Sequence, residues 1–297
     1  GHHMEKQKKN WVNWALFGII ALIWGSSFIL MKVSMFAEGH QATLSAYQVA
    51  ALRMLSAGLV LSPVALRAVS AVPRDKLFWM FTSGLIGSFF PAFLFCIAET
   101  RIDSSLAGFL NALTPVFTLI VGTLFFGLVF PRHKVLGVLL AFCGMSLLFI
   151  ARSGMQFNHL AYATLVVAAT VCYGFNVNIA TRYLTAFDPV QVVAIAFSSL
   201  IIPSLMVLGY SGFFTLPFET AHWRSIGAAT VLGVLNTAIA SLFFYQLMKR
   251  AGPLFASMVT YGIPFIALGW GWLAGEEIGA VQLAGLGIIL IGVFLTK

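Results

Sequence analysis

Ten stretches without charge cover almost all of this chain. They are 10–31, 39–66 (broken once by Arg53), 77–98, 104–131, 135–151, 153–181, 189–218, 225–248, 251–275 and 278–296. A helix that crosses a bilayer needs about 20 mostly apolar residues, so each stretch reads as one span. The shortest, 135–151, is completed by Lys134 and Arg152, whose long side chains reach the interfaces. The stretches are continuous rather than alternating, which excludes a β-barrel. Only 9% of the 297 residues are charged and 60% are hydrophobic, where a soluble domain carries roughly 25% charge. The sequence predicts an all-α polytopic membrane protein of ten transmembrane helices.

Basic residues orient such a bundle, because they concentrate in cytoplasmic loops. With a cytoplasmic N-terminus, twelve fall inside: Lys6, Lys8, Lys9, Arg67, Arg74, Lys76, Arg132, Lys134, Arg182, Lys249, Arg250 and Lys297. Four fall outside: Lys32, Arg101, Arg152 and Arg224. Both termini are expected in the cytoplasm. The net charge of +8 is then a topology signal and calls for no nucleic-acid partner. Residues 1–10 read as a cloning scar and a cytoplasmic start. Cys96, Cys143 and Cys172 lie in apolar stretches with no metal-binding spacing and are expected to be buried small hydrophobes.

A shift of 149 residues aligns the chain with itself. Gly25 meets Gly174, with Trp24 and Tyr173 beside them, and Gly84 meets Gly233. Arg101 meets Arg250, and Pro115 meets Pro264. Spans 5 and 10 match one residue off, Gly137 with Gly285 and Gly144 with Gly292. At the common shift the counterpart of Arg53 is Ile202. The repeat predicts two units, 11–152 and 153–297. Five spans is an odd number, so the second unit enters from the opposite side. Inverted repeats of this kind build transporters, with the substrate site at the midplane between the halves.

Trp24–Gly25, Arg53, the prolines Pro115 and Pro264, and the closing Gly275–Glu276, Gln282, Gly285 and Gly292 resemble the EamA-domain family of the drug/metabolite transporter superfamily. Within it the chain is most similar to YddG-type amino-acid exporters of bacteria. The resemblance spans essentially the whole chain. It implies a central cavity enclosed by spans 1, 3, 4, 6, 8 and 9, and export of amino acids, drugs or other metabolites through the inner membrane.

Polar residues inside lipid must face protein or water. Ser26, Ser27, Ser88, Asn111, Thr114, Asn176, Asn178, Asn236, Thr237, Tyr245, Thr260 and Tyr261 all fall on those six spans. Substrate contact and interhelical hydrogen bonding are both open to each. Trp24 and Tyr173, mid-span beside paired glycines, and Phe90, beside Pro91, are candidates for an aromatic cavity wall. Trp11 and Trp14 read as an interfacial belt. Gly25 and Gly174 permit close helix approach, and Pro115 and Pro264 shape or gate their spans. Arg53 either meets a substrate carboxylate or holds span 2 to a neighbour, and the second reading is preferred. Gly271 and Gly275 form a GxxxG that packs helices within one chain, so a monomer is expected.

No catalytic, metal or cofactor site is expected. Gly209–Tyr210–Ser211–Gly212 matches an intramembrane serine-protease motif, but it sits at a loop with no histidine on a neighbouring mid-span. Short loops leave no room for an extracellular ligand domain, which disfavours a receptor. No Asp or Glu lies mid-membrane: Glu99, Asp103, Glu276 and Glu277 fall at outer ends and Asp188 at an inner end. Export of amino acids is therefore expected to persist without a proton gradient, with Glu99 the nearest substitute for an embedded carboxylate. The competing substrate class is drugs or other metabolites, and an intramembrane enzyme is the remote alternative.

Overall fold

The computed structural model describes residues 2–38, 41–151, 159–273, 275 and 277–297. His40, Arg152, Glu276 and part of the Gly271–Gly275 motif, with the boundary at 152–153, lie outside the described residues. Eight helices are long and apolar enough to cross a membrane: α1 (His2–Met35), α2 (Ala46–Ala71), α3 (Arg74–Glu99), α4 (Ser104–Phe126), α5 (Arg132–Ile150), α6 (Leu160–Tyr183), α7 (Pro189–Tyr210) and α8 (Thr220–Ala251). Two shorter apolar helices follow, α9 (Pro253–Gly269) and α10 (Ala280–Leu295). The described residues contain no β-strand beyond one isolated bridge, Phe36 with Ala42.

Several uncharged stretches outrun their helices because the flanking loops are uncharged too. The stretch from 39 becomes a helix only at Ala46, where Ser45 caps it: the Gln48 amide donates to Ser45 Oγ at 3.2 Å, and the Ser45 amide donates to Gln48 Oε1 at 3.0 Å. Gln48 Nε2 then donates to the carbonyl of Ser211 at 2.9 Å, tying α2 to the end of α7. Gly209 and Tyr210 end α7, and Ser211 and Gly212 turn the chain, with Gly212 at φ +76. Asp188 starts α7 by accepting from the Val190 amide at 3.0 Å.

Helix interiors are interrupted at matched places. α3 carries a π-helical stretch at Leu85–Phe89, and α8 carries one at Leu232–Ile239. α4 breaks at Ala112 and Leu113, and α9 tightens to a 3-10 turn over Met258–Gly262. Pro115 and Pro264 each follow such a break as the second residue of a fresh helical segment, Thr114–Phe126 and Ile263–Leu273. In the first turn proline forfeits no helical hydrogen bond, so each is accommodated without a kink of its own.

Pairings run between the two halves of the chain. α5 packs on α10, α2 on α7 and α8, α4 and α3 on α6, and α1 on α8 and α9. The α5–α10 seam is backbone on backbone. A Cβ on Gly137 would lie 2.5 Å from the carbonyl of Gly292, and one on Gly144 would lie 2.8 Å from that of Gly285. Apolar side chains gain little from leaving lipid, so small residues that admit a close approach hold such seams together.

Three expectations change here. Trp14 packs edge-on against Phe255, with ring centroids 5.3 Å apart, and also meets Phe17 and Phe294; only Trp11, 72% exposed, stands at the surface as a belt residue does. Cys143 is exposed and Cys172 half-buried, leaving Cys96 as the buried thiol, because α5 turns Cys143 away from its Gly137–Gly144 seam. Gly174 does admit a close approach, its Cβ position lying 2.9 Å from the backbone of Phe117, whereas at Gly25 the nearest atom is Ile263 Cγ2 at an ordinary 3.7 Å.

Candidate functional site

Where α3 and α8 pass the middle of the bundle, their π-helical stretches unwind the register and turn a short polar face inward. Ser88, Ala92 and Phe95 follow one another at i, i+4 and i+7 on α3. On α8, Asn236, Thr237, Ser241, Phe244 and Tyr245 do the same. With α1, α2, α4, α6 and α9 they enclose a cavity of about 920 Å³, part of it open to solvent.

Of the expected cavity residues, Trp24, Ser27, Ser88, Asn111, Tyr173, Asn176, Asn236, Thr237, Tyr245 and Thr260 line this space. Phe90 and Tyr261 do not. Phe90 lies two residues past Ser88, on the far side of the helix, and is 47% exposed. Tyr261 is 0% exposed, and its hydroxyl donates to the carbonyl of Ala112 at 2.6 Å, so it ties α9 to α4. Asn178 likewise bonds helices, its Nδ2 donating to the carbonyls of Thr118 and Gly174.

The wall also holds residues that sequence reasoning passed over, among them Phe28, Met31, Met54, Phe95, Phe244 and Ser257. Phe95 and Phe244 carried a usable signal: both are aromatic, and they stand at the common shift of 149 from each other.

Arg53 lines the cavity too. Its Nε donates to Thr237 Oγ1 at 2.6 Å, a bond from α2 to α8. Its terminal nitrogens have no hydrogen-bond partner among the described residues, and no other charged residue lines the cavity. The counterpart of Arg53 is not Ile202, which is 70% exposed. A Cβ on Gly233 would lie 2.5 Å from the carbonyl of Arg53, and one on its mate Gly84 would lie 2.9 Å from that of Ala196. Spans 2 and 7 therefore align at a smaller shift than the rest, since the loops before them differ in length.

Contacts across the cavity come in reciprocal pairs. The Trp24 ring lies 5.1 Å from that of Phe244, and the Tyr173 ring lies 6.2 Å from that of Phe95. Asn236 Nδ2 donates to Ser27 Oγ at 3.0 Å, while a Cβ on Gly87 would touch Asn176. Asn111 Nδ2 donates to Thr260 Oγ1 at 3.4 Å, a bond between two residues that are each other's mates. Trp24 is fixed further by its Nε1, which donates to the carbonyl of Asn236 at 3.1 Å.

A polar cluster ties three of the enclosing helices together. Ser83 Oγ donates to Asn176 Oδ1 at 2.6 Å, and Asn176 Nδ2 donates to Tyr245 OH at 3.1 Å, joining α3, α6 and α8. Among the described residues no group of three His, Cys, Asp or Glu side chains is placed to hold a metal ion.

An uncharged polar cavity with one cation, walled by helices from both halves, suits passage of a small molecule. Comparison with known proteins agrees. A relative from Archaeoglobus fulgidus, named an uncharacterized transporter, is 25% identical over 296 residues, covering 95% of this chain and 97% of that one. A crystal structure of a protein superposes with a TM-score of 0.67 over 95% of each chain, at 15% identity, a likeness of fold. The EamA-like transporter family pattern matches twice, at residues 12–150 and 160–297. This chain is a multi-pass membrane protein that belongs to the EamA-like transporter family.

Proposed function

We propose that this protein exports amino acids across a bacterial inner membrane by alternating access, as the resemblance to YddG-type exporters implies. Arg53 carries the reading, as the single guanidinium with free donors in a cavity otherwise uncharged. A carboxylate satisfies it with charge-assisted hydrogen bonds. The hydroxyl and amide oxygens of Ser27, Asn111 and Thr260, which line the same cavity, suit an ammonium. The rings of Trp24, Phe95, Tyr173 and Phe244 suit a side chain of varied shape, aromatic and neutral ones included.

The architecture that fits is ten spans, α9 and α10 crossing with the eight longer helices, in two inverted five-helix repeats over 11–152 and 153–297. The reciprocal contacts support it. A two-fold relation turns a contact between residue i and the mate of j into one between j and the mate of i, and a simple translation does not. Gly137–Gly292 and Gly144–Gly285 obey this rule, as do Trp24–Phe244 and Phe95–Tyr173. Two equivalent halves can exchange conformations about the axis and open the cavity to either side. The protein acts as a monomer with both termini in the cytoplasm.

Two measurements bear on this reading. Pure protein in proteoliposomes is expected to take up neutral and aromatic amino acids down their gradient, with no pH gradient imposed. Uptake of a cationic drug instead, with amino acids ignored, moves the substrate to the competing class. A reporter active only in the periplasm, fused after Lys297, is expected to stay dark, and a signal from it refutes the topology.

The ring pair is tested by Trp24→Ala and Tyr173→Ala. Each removes one aromatic contact, worth about 0.5–1.5 kcal/mol beyond area burial, so apparent affinity is expected to fall several-fold. Trp24→Ala falls further, because it also loses the hydrogen bond to Asn236. If both variants transport every amino acid as the parent does, the rings only pack.

A further inference from the structure

We propose that Glu99 is a proton-binding site that sets the opening of the end of the bundle where it lies. The inference takes from the topology proposed above only the name of that end, the outer one. Glu99 closes α3 and is 0% exposed. Among the described residues, neither carboxyl oxygen has a hydrogen-bond partner.

The groups around Glu99 leave its carboxyl oxygens without a hydrogen bond. Lys32 Nζ, on α1, donates to the backbone carbonyl of Glu99 and not to its carboxyl. Ser104 Oγ, on α4, donates to the carbonyl of Phe28 at 3.2 Å. Arg53, on α2, gives its Nε to Thr237. Tyr173, on α6, packs on Phe95. Cys96, one turn back on α3, is a buried thiol, and Arg101 and Asp103 beyond the helix end are exposed. An ionised carboxylate held this way gains the attraction of the Lys32 and Arg53 charges, but it keeps its desolvation cost and gains no hydrogen bond in return. The closed arrangement accepts the neutral acid.

The repeat shows that packing does not demand a carboxyl here. The common shift of 149 puts Met248 at the place of Glu99 and Thr181 at the place of Lys32. Met248 is 3% exposed, so an apolar side chain fills the equivalent position in the other half. The acid is an addition to one end only.

The cavity wall on α3 ends at Phe95, one turn short of Glu99, and the equivalent place at the other end carries no acid. A proton taken up by Glu99 therefore leaves on the side it came from. On opening, the carboxyl meets water and gives its proton to the outer solution. On closing, it takes one back. No proton crosses, so flux needs no gradient, yet acid on the outer side favours the closed end and alkali the open one.

Cys96 reports this opening without any substrate. In a background with Cys143→Ser and Cys172→Ser, the full-length protein in proteoliposomes is alkylated from the outer side with a membrane-impermeant maleimide. Thiol reactivity itself rises with pH, so the parent is compared at each pH with Glu99→Gln and Glu99→Met. The parent-to-variant ratio of alkylation rates is expected to rise severalfold or more, up to about a hundredfold, from about pH 6 to about pH 8, since one proton can shift an equilibrium at most about tenfold per unit. Amino-acid counterflow is expected to follow the same ratio. A ratio constant with pH, in labelling and in counterflow, overturns the proposal. A ratio that answers only to pH on the other side supports the proton site and refutes the topology. PH-dependent labelling in a protein that moves no amino acid supports the proton site and refutes the amino-acid reading.

Discussion

Arg53→Gln is expected to lower transport of zwitterionic amino acids by about 10–100-fold, because a hydrogen bond to a charged group contributes about 1.5–3 kcal/mol. Glutamine is shorter, but its amide nitrogen falls where the Arg53 Nε stands and keeps a donor toward Thr237, while the charge that the substrate carboxylate meets is removed. Arg53→Lys keeps the charge and loses the planar fork, so it is expected to recover part of the rate. Amino-acid amides, which lack the carboxylate, separate the two roles. If the guanidinium binds the carboxylate, Arg53→Gln discriminates against amino acids and leaves amides nearly untouched. Equal losses for both would assign Arg53 to the joint between α2 and α8 alone.

Gly292→Val is expected to prevent normal assembly. Its Cβ would stand 2.5 Å from the carbonyl of Gly137 and 2.6 Å from the amide of Ala141, both backbone atoms that cannot move aside separately from their helix. Overpacking costs about 1–3 kcal/mol where side chains can shift, and a clash with backbone sits at or beyond the upper end. The expected readout is loss of the monodisperse elution peak in detergent, or a clear drop in unfolding temperature. Gly287→Ala is the control on the same helix, since its Cβ would meet nothing within 4 Å. A Gly292→Val protein as stable as Gly287→Ala would mean that α5 and α10 do not form this seam.

The apolar helices and the twofold match of the chain were legible because each depends on local or periodic information. A charge inside lipid is costly enough to write the span limits into the sequence. The glycines of α5 and α10 were visible as repeat mates, Gly137 with Gly285 and Gly144 with Gly292. That Gly137 touches Gly292 and Gly144 touches Gly285 was not visible, since contact between halves depends on how they are oriented in space. Phe90 was misplaced because it was chosen as an aromatic beside Pro91, which does not say which face of α3 it stands on. Arg53 was compared with Ile202 because one shift was applied throughout, and the unequal loops before α2 and α7 break that shift.

From the sequence alone came the membrane as solvent, the apolar helices, the repeat of about 149 residues and most of the polar residues that meet in the middle. Each follows from the same rule, that a polar or charged group in hydrocarbon must be rare and partnered. Tertiary structure decided which of those groups face one cavity and which hold helices together. Tyr261 and Asn178 look as suitable as Asn111 and Asn236 in sequence, yet the first two are turned into helix contacts. It also decided that the Glu99 carboxyl is buried without a hydrogen-bond partner among the described residues. Burial at a helix end depends on which neighbours fold over it, here Lys32 from α1 and Ser104 from α4, and both are far from it in chain order or turned to other partners.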